Sequence, residues 1–373
     1  MRILSIVTLV SPGGEYGGPL RVAVNQATAL MQRGHEVTIV AAHRGYHGRP
    51  PTEVGGVPAR LFPVRRVAPA TGFAGLCAPG MLRYLSTAVP NYDIAHVHVA
   101  RDLVTLPAAL LIARRGLPYV LQPHGMIDAS SHPLVHVVDP LLTRPVFARA
   151  KQIFYLTSTE HDDLTALLER TDVLQHLTNG VPPATQTADS ATPEVLFLAR
   201  LAPRKRPVML VEAANALHEA YPEHRYRLVG PDEGEGAAVR TAISRSQADV
   251  VWEGPLSPDL TSTRMSAAGI YVLPAVDEPY GMSVLEAMAV GLPVVVTDTC
   301  GLAGLVEDSG AGLVTDSSLE SLVDAIRLLI SDVDRARAMG RAGQATTHTK
   351  LGMDAIADTL EEAYGSCVKP GDR

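Results

Sequence analysis

The stretch Gly269–Thr297, GIYVLPAVDEPYGMSVLEAMAVGLPVVVT, decides the fold. It opens on a short apolar run and passes through a polar turn carrying Pro279 and Gly281. An amphipathic segment follows from Ser283, and a second apolar run, PVVVT, closes it. Two buried strands joined by a helix make a parallel βαβ unit, because a parallel connection must cross the sheet and the helix covers its face. In open sheets of this kind ligands bind beyond the carboxyl ends of the strands. Glu278 falls just past the first strand and Glu286 on the first turn of the helix. Ser283 suits the N-cap, and the free amides of the turn and helix start offer an anion site.

The same rhythm extends in both directions. Toward the C-terminus come the helical segments LESLVDAIRLLI and GMDAIADTLEEAYGSC; before Gly269 come the strands VLFLAR, YRLVG and VVWEG, with the helix PVMLVEAANALHEA. The segment 179–193, NGVPPATQTADSATP, is dense in Pro, Ser, Thr and Ala and reads as a boundary. Upstream of it, RILSIVTLV, RVAVNQATALMQRG, HEVTIVAA, DIAHVHV, LVTLPAALLIARRG, PYVLQPHG and KQIFYLTST repeat the strand and helix alternation. The reading is α/β throughout. One open parallel sheet spans 1–178 and a second spans 179–351, and the segment 352–367 is a candidate to return and complete the first. A chain of 373 residues exceeds what one core serves, so two domains with a cleft between them are expected.

Composition narrows the class. With 46% apolar and 19% charged residues the chain is a packed globular protein. Residues 1–180 hold 16 Lys/Arg and 12 Asp/Glu, a charge of +4; the other 193 hold 16 and 27, a charge of −11, matching the total of −7. No broad basic footprint points to nucleic acid. Cys77, Cys300 and Cys367 are too scattered for a zinc site or a disulfide framework, which suits a reducing cytoplasm. The opening MRILSIVTLVSPGG has an apolar run too short for a signal peptide and no small-residue cleavage site, so it reads as a first strand. No run approaches the ~18 apolar residues of a membrane span.

Two acids eight apart at a strand end can accept hydrogen bonds from two sets of hydroxyls, as a sugar and a ribose would offer. They equally suit a helix N-terminus that favours negative charge, and spacing leaves both readings open. In ARLAPRKRP, directly after VLFLA, Arg200 and Lys205 sit on a strand-to-helix connection of the acidic half, where a bound diphosphate would need cations. A solvated basic turn is the alternative. PGGEYGGPLRVAVNQ, with Gly13, Gly14, Gly17 and Gly18, lets backbone approach a ligand, but its spacing is not G-x-G-x-x-G and no acid stands at the usual ribose position, which argues against an NAD site. His124, in LQPHGM, ends an apolar strand. Such a histidine serves as a structural hydrogen-bonder as readily as at a site, and His96 and His98 precede it on another strand.

These elements resemble the family-4 retaining glycosyltransferases, glycosyl transferases group 1. The family pattern EPFGLVxLEAMAxGxPVVAT is matched nearly residue for residue by EPYGMSVLEAMAVGLPVVVT. The resemblance runs from the first strand to the helix after Val314 and implies two Rossmann-like domains facing across a cleft, the GT-B arrangement. By resemblance, Glu278 holds the transferred sugar, Gly281, Met282 and Ser283 meet the donor phosphate, Glu286 holds the ribose, and Tyr280 is among the donor-binding residues. Arg200 and Lys205 match the family's GRLxxxKG and neutralise the leaving diphosphate, with Ala199 and Arg206 in place of its glycines. Gly14, Gly17 and Gly18 correspond to the glycine-rich first loop over the donor, beside Glu15, and His124 to the histidine that contacts the donor sugar. Glu15, Arg101, Asp102 and Asp128 are acceptor-side candidates, and for the last three ordinary surface charge is the alternative. Gly230 opens GPDEGEG, at the place of the family's glycine-rich element, and Gly304 stands where the family often has an acid.

The resemblance implies transfer of a hexose-type sugar from a UDP- or GDP-sugar to a hydroxyl of a glycan, a lipid-linked acceptor or a small molecule. It also implies no metal or other cofactor. Asp332-Val333-Asp334 spells a DxD but lies among helical residues away from the other motifs. A sugar-nucleotide epimerase, a glycosyl phosphorylase and a non-catalytic donor-binding subunit are the competing readings. Arg60, Arg65 and Arg66 make the first domain mildly basic, which suits peripheral contact with an anionic or membrane-surface acceptor as well as a small soluble one.

Overall fold

The computed structural model describes residues 1–12, 17–67, 75–127, 135–168 and 170–368. The chain divides into two compact units, one of Met1–Gly180 with the segment from Met353 onward, the other Val181–Gly352.

Ten strands of the first unit are described: β1 (Arg2–Val10), β2 (Glu36–His43), β3 (Glu53–Val54), β4 (Val57–Pro63), β5 (Arg65–Arg66), β6 (Leu76–Cys77), β7 (Ile94–Val97), β8 (Tyr119–Leu121), β9 (Gln152–Tyr155) and β10 (Leu174–His176). Eight form one sheet in the order β10-β9-β8-β7-β1-β2-β4-β3, and β5 pairs with β6 apart from it. Every pairing in the large sheet is parallel except β3 with β4. In β1 every residue after Arg2 is buried, as expected of a strand covered on both faces. Its side chains alternate between two cores: Leu4 and Ile6 join one cluster, Ile3 and Val7 the other.

The C-terminal helix Met353–Cys367 belongs to the second of these clusters. Ile356, Ala357, Leu360 and Tyr364 recur at helical spacing and pack with Ile3, Leu30 and the helix Gly17–Gln32. Arg33 fastens its polar side, reaching Asp358 at 2.5 Å and Glu361 at 2.8 Å.

In the second unit β11 (Glu194–Leu198), β12 (Arg225–Val229), β13 (Asp249–Gly254), β14 (Ile270–Leu273), β15 (Val294–Thr297) and β16 (Gly312–Thr315) form a parallel sheet in the order β13-β12-β11-β14-β15-β16. β16 is a strand the sequence reading passed over; GLVT is too short to show a period. The DxD is a helix cap, with Asp332 accepting from the Arg335 amide at 3.0 Å.

Both sheets reverse direction at one place. The chain steps outward from β11 to β12 and β13, then returns on the other side of β11 as β14; in the first unit β1 leads to β2 and β4, and β7 returns beside β1. The crevice outside the carboxyl ends of two such strands is where an open α/β sheet can receive a ligand, because their loops part in opposite directions.

Candidate active site

The second unit gathers charge at its reversal point. The connection after β11 runs Ala199–Lys205 into the helix Pro207–Leu217, and the connection after β14 carries Asp277–Gly281 into the helix Met282–Ala289. The Lys205 ammonium donates to the Glu278 carboxylate, and each residue is only 7% exposed. Arg204 stands 3.8 Å from the same carboxylate, and its carbonyl accepts from the Val276 amide at 2.8 Å, which laces the two connections together. Burial pulls the Lys205 pKa below its ordinary value, against the pull of Glu278 in the other direction.

Arg200 is held by Glu233, Nη1 to Oε2 at 2.6 Å, with both side chains about one-third exposed. Glu233 belongs to the connection after β12, which begins at Gly230. That glycine has φ +147°, and a Cβ there would lie 2.0 Å from the Ala199 carbonyl oxygen, so the two connections touch through backbone. Tyr280 is buried at 7% exposure, and Glu286 is half-buried on the second turn of its helix.

Ser283 departs from expectation. The helix begins one residue earlier, at Met282, and its cap is Gly281 in the left-handed conformation, φ 84°. The Ser283 hydroxyl instead lies 2.7 Å from that of Tyr271, which also donates to the Leu198 carbonyl at 3.1 Å. The cap makes no side-chain hydrogen bond to the helix start, where the Val284 amide donates to the Gly281 carbonyl at 2.8 Å and the two amides before it face the place a helix N-terminus offers an anion.

Among the described residues four non-glycines adopt positive φ: His124 (56°), Arg206 (51°), Asp277 (50°) and Ser317 (69°). All four follow the carboxyl end of a parallel strand, and Arg206 donates to the Ser317 carbonyl at 2.7 Å. Left-handed backbone outside glycine is costly and concentrates where a loop is shaped for a ligand.

In the first unit His124 follows β8. Its Nε2 lies 2.8 Å from His98 Nδ1, and its ring is half-buried. Burial holds His124 and His96 down to about pKa 3, and His98 well below 6.5. Gly17 and Gly18 form the first turn of the helix Gly17–Gln32, where a free loop was expected, because the helix starts earlier than the apolar period shows. Gly13, Gly14, Glu15 and Asp128 lie outside the described residues.

The acceptor-side candidates Arg101 and Asp102 are both engaged within the first unit, and Asp102 is buried, not an ordinary surface charge. Asp102 is 1% exposed and accepts from Thr8 Oγ1 at 2.7 Å and from the amides of Val104 and Thr105 at 2.7 and 2.6 Å, tying β1 to the start of the helix Thr105–Arg114. Arg101 makes a two-pronged pair with the buried Asp139, 3.0 and 3.1 Å.

The family model of glycosyl transferases group 1 matches residues 183–346, and that of the glycosyl transferase 4-like domain matches 17–180. The D-inositol 3-phosphate glycosyltransferase of Actinosynnema mirum is 30% identical over 98% of this chain and 96% of its own. The chain belongs to the group 1 glycosyltransferases. A protein of the same name from Nocardia farcinica is 28% identical over 98% of this chain and 91% of its own. Among solved structures, Anabaena HepE in complex with UDP and glucose superposes with a TM-score of 0.76 at 18% identity, covering 98% of this chain and 100% of that one. Sucrose-phosphate synthase from Thermosynechococcus elongatus gives 0.72 at 18% identity and 98% coverage of each chain. The fold is that of the GT-B glycosyltransferases, with two Rossmann-like domains.

For a group 1 glycosyltransferase the geometry adds residues that sequence reading missed. Arg204 escaped notice as one of three adjacent cations. Gly301 does so because its role is steric: its amide donates to the Glu278 carbonyl at 2.8 Å, and a Cβ would lie 2.0 Å from the Pro279 oxygen. Cys300, its buried neighbour, has its thiol pKa pushed up to about 11 by burial. Gly304 has open space where a side chain would project. Among the described residues no helix is long and apolar enough to cross a membrane.

Proposed function

We propose that this glycosyltransferase moves a hexose-type sugar from a UDP- or GDP-sugar to a hydroxyl acceptor in the cytoplasm, with retention at the anomeric carbon and without a metal ion. The observation that carries the reading is the meeting of Lys205 and Glu278, with Arg200 and Arg204 beside them, at the strand reversal of the second unit. Cations and acids gathered beyond parallel strand ends suit a sugar diphosphate, whose phosphates want the former and whose hydroxyls want the latter.

In this mechanism the bond from the sugar C1 to the diphosphate oxygen breaks, and its electron pair leaves with the diphosphate. The acceptor oxygen bonds to C1 on the same face, and its proton passes to the departing diphosphate. Lys205, Arg200 and the amides at Gly281–Ser283 stabilise the charge growing on the leaving group, which is where fixed dipoles and cations lower a barrier most. Glu278 and His124 hold the sugar, and Glu286 holds the ribose. Gly17, Gly18, Gly230, Tyr280 and Met282 line the donor, and the resemblance assigns Gly14 to the same loop. The chain's own cations supply the neutralisation a metal would otherwise give.

The test is a hydrolysis and thermal-shift screen over UDP-, GDP- and dTDP-sugars, followed by anomer assignment of the product. Proteins bearing the name D-inositol 3-phosphate glycosyltransferase are similar over 98% of this chain, so that phosphorylated cyclitol heads the acceptor panel. Inversion would refute the mechanism, and conversion of donor to an epimer without acceptor would replace the reading with an epimerase.

A further inference from the structure

Two buried rings stand behind His124. His98, just past β7 and 1% exposed, places Nδ1 2.8 Å from His124 Nε2 with the ring planes 10° apart. Behind it His96, on β7 and 2% exposed, lies parallel to His98 at 4.5 Å between centroids, and its Nδ1 is 2.7 Å from the hydroxyl of Tyr364 on the C-terminal helix.

A hydrogen bond between two neutral imidazoles needs one N–H and one lone pair, so it couples the two rings: both carry the proton on Nδ1, or both on Nε2. The bond to His98 thereby engages Nε2 of His124 and ties the state of Nδ1, the ring's other polar atom, to the tautomer of the buried His98. The backbone is pinned from another side. His124 is left-handed at φ 56°, and the amide of Gly125 donates to the buried Glu160, whose second oxygen accepts from the Leu156 amide at 2.6 Å. A strained turn tied to a buried acid, with its ring bonded in plane to a buried partner, is held in one place.

We infer that His98 is a positioning residue for His124, holding its imidazole in a single tautomer and orientation so that Nδ1 alone is presented to the ligand. The inference rests on the reading in which His124 meets the donor sugar. Three variants separate the two: H124A, H98F, which fills the space without a hydrogen bond, and H98N, whose amide stands near the position of Nδ1.

With the sugar nucleotide chosen by the screen above, H98F lowers kcat about 10- to 100-fold, the scale of a misplaced catalytic group. Affinity for the nucleoside diphosphate alone, read by calorimetry, stays within about twofold, and H98N recovers most of the lost turnover. An H98F enzyme with the wild-type kcat, or an H98N enzyme no better than H98F, overturns the inference. An H124A enzyme with full turnover overturns the sugar contact itself. Should H98F not fold, nitrogen-15 spectra of the wild-type histidines decide: one His124 nitrogen protonated and the other bare supports the inference, and shifts averaged between the two tautomers overturn it.

Discussion

Lys205 and Glu278 lie 73 residues apart in sequence and form a buried ion pair across the two connections that flank the strand reversal. Removing one partner of such a pair leaves the other charge enclosed and unpaired, which typically costs about 3–5 kcal/mol. Lys205→Ala is therefore expected to lose stability on that scale as well as orders of magnitude in turnover. Glu278→Gln, which keeps the shape, is expected to lose less stability. Urea unfolding of both single variants and the double variant tests this. A double variant no more stable than the sum of the singles implies would mean that the two side chains act independently.

Arg200 has a resident acid, Glu233, in the place a diphosphate would take. Exposed pairs of this kind are worth a few tenths of a kcal/mol to about 1 kcal/mol. Glu233→Gln should thus tighten nucleoside diphosphate binding about two- to fivefold, while Arg200→Ala weakens it. Isothermal titration with UDP and GDP reads both effects, and weaker binding by Glu233→Gln would give Glu233 a direct role with the nucleotide.

Gly301 packs against the turn that carries Glu278, and a methyl group there would sit 2.0 Å from the Pro279 oxygen. Gly301→Ala should push that turn out of place and abolish donor binding, with the melting temperature reduced. Gly304→Ala, three residues on and facing open space, serves as the control with little change in either. Equal behaviour of the two would remove the steric argument.

The buried histidines make the first unit acid-labile. His96 is held down to about 3 and His98 well below 6.5, whereas the unfolded chain titrates near ~6.5. Their folded pKa values are depressed, so as pH falls below ~6.5 the unfolded state takes up protons the native state refuses, and stability drops by up to ~1.4 kcal/mol per pH unit for each ring. Above that pH the effect is absent. Urea titrations from pH ~7 to ~5 should show this decline, and His96→Phe should make it shallower by about one proton. Parallel slopes for variant and wild type would contradict the burial argument.

Activity in excess EDTA tests metal independence directly. Turnover is expected to persist, and its loss, with recovery on adding a divalent cation, would overturn that part of the mechanism.

The sequence by itself determined the alternation of strand and helix, the loop after β14 as a candidate ligand site, and the motif Glu278–Glu286 that marks the family. Each is carried by neighbouring residues, whose periodicity records which faces are buried. Tertiary structure decided the partners. Lys205 meets Glu278 because β14 returns beside β11 after the chain has travelled out through β12 and β13. Asp102 turns inward because β1 brings Thr8 to it, and Ser283 bonds Tyr271 across the strand instead of capping its own helix. The C-terminal helix joins the first unit through Tyr364 and Leu360. Strand order is fixed by the packing of the whole chain, so contacts that depend on it leave no trace in any local window of sequence.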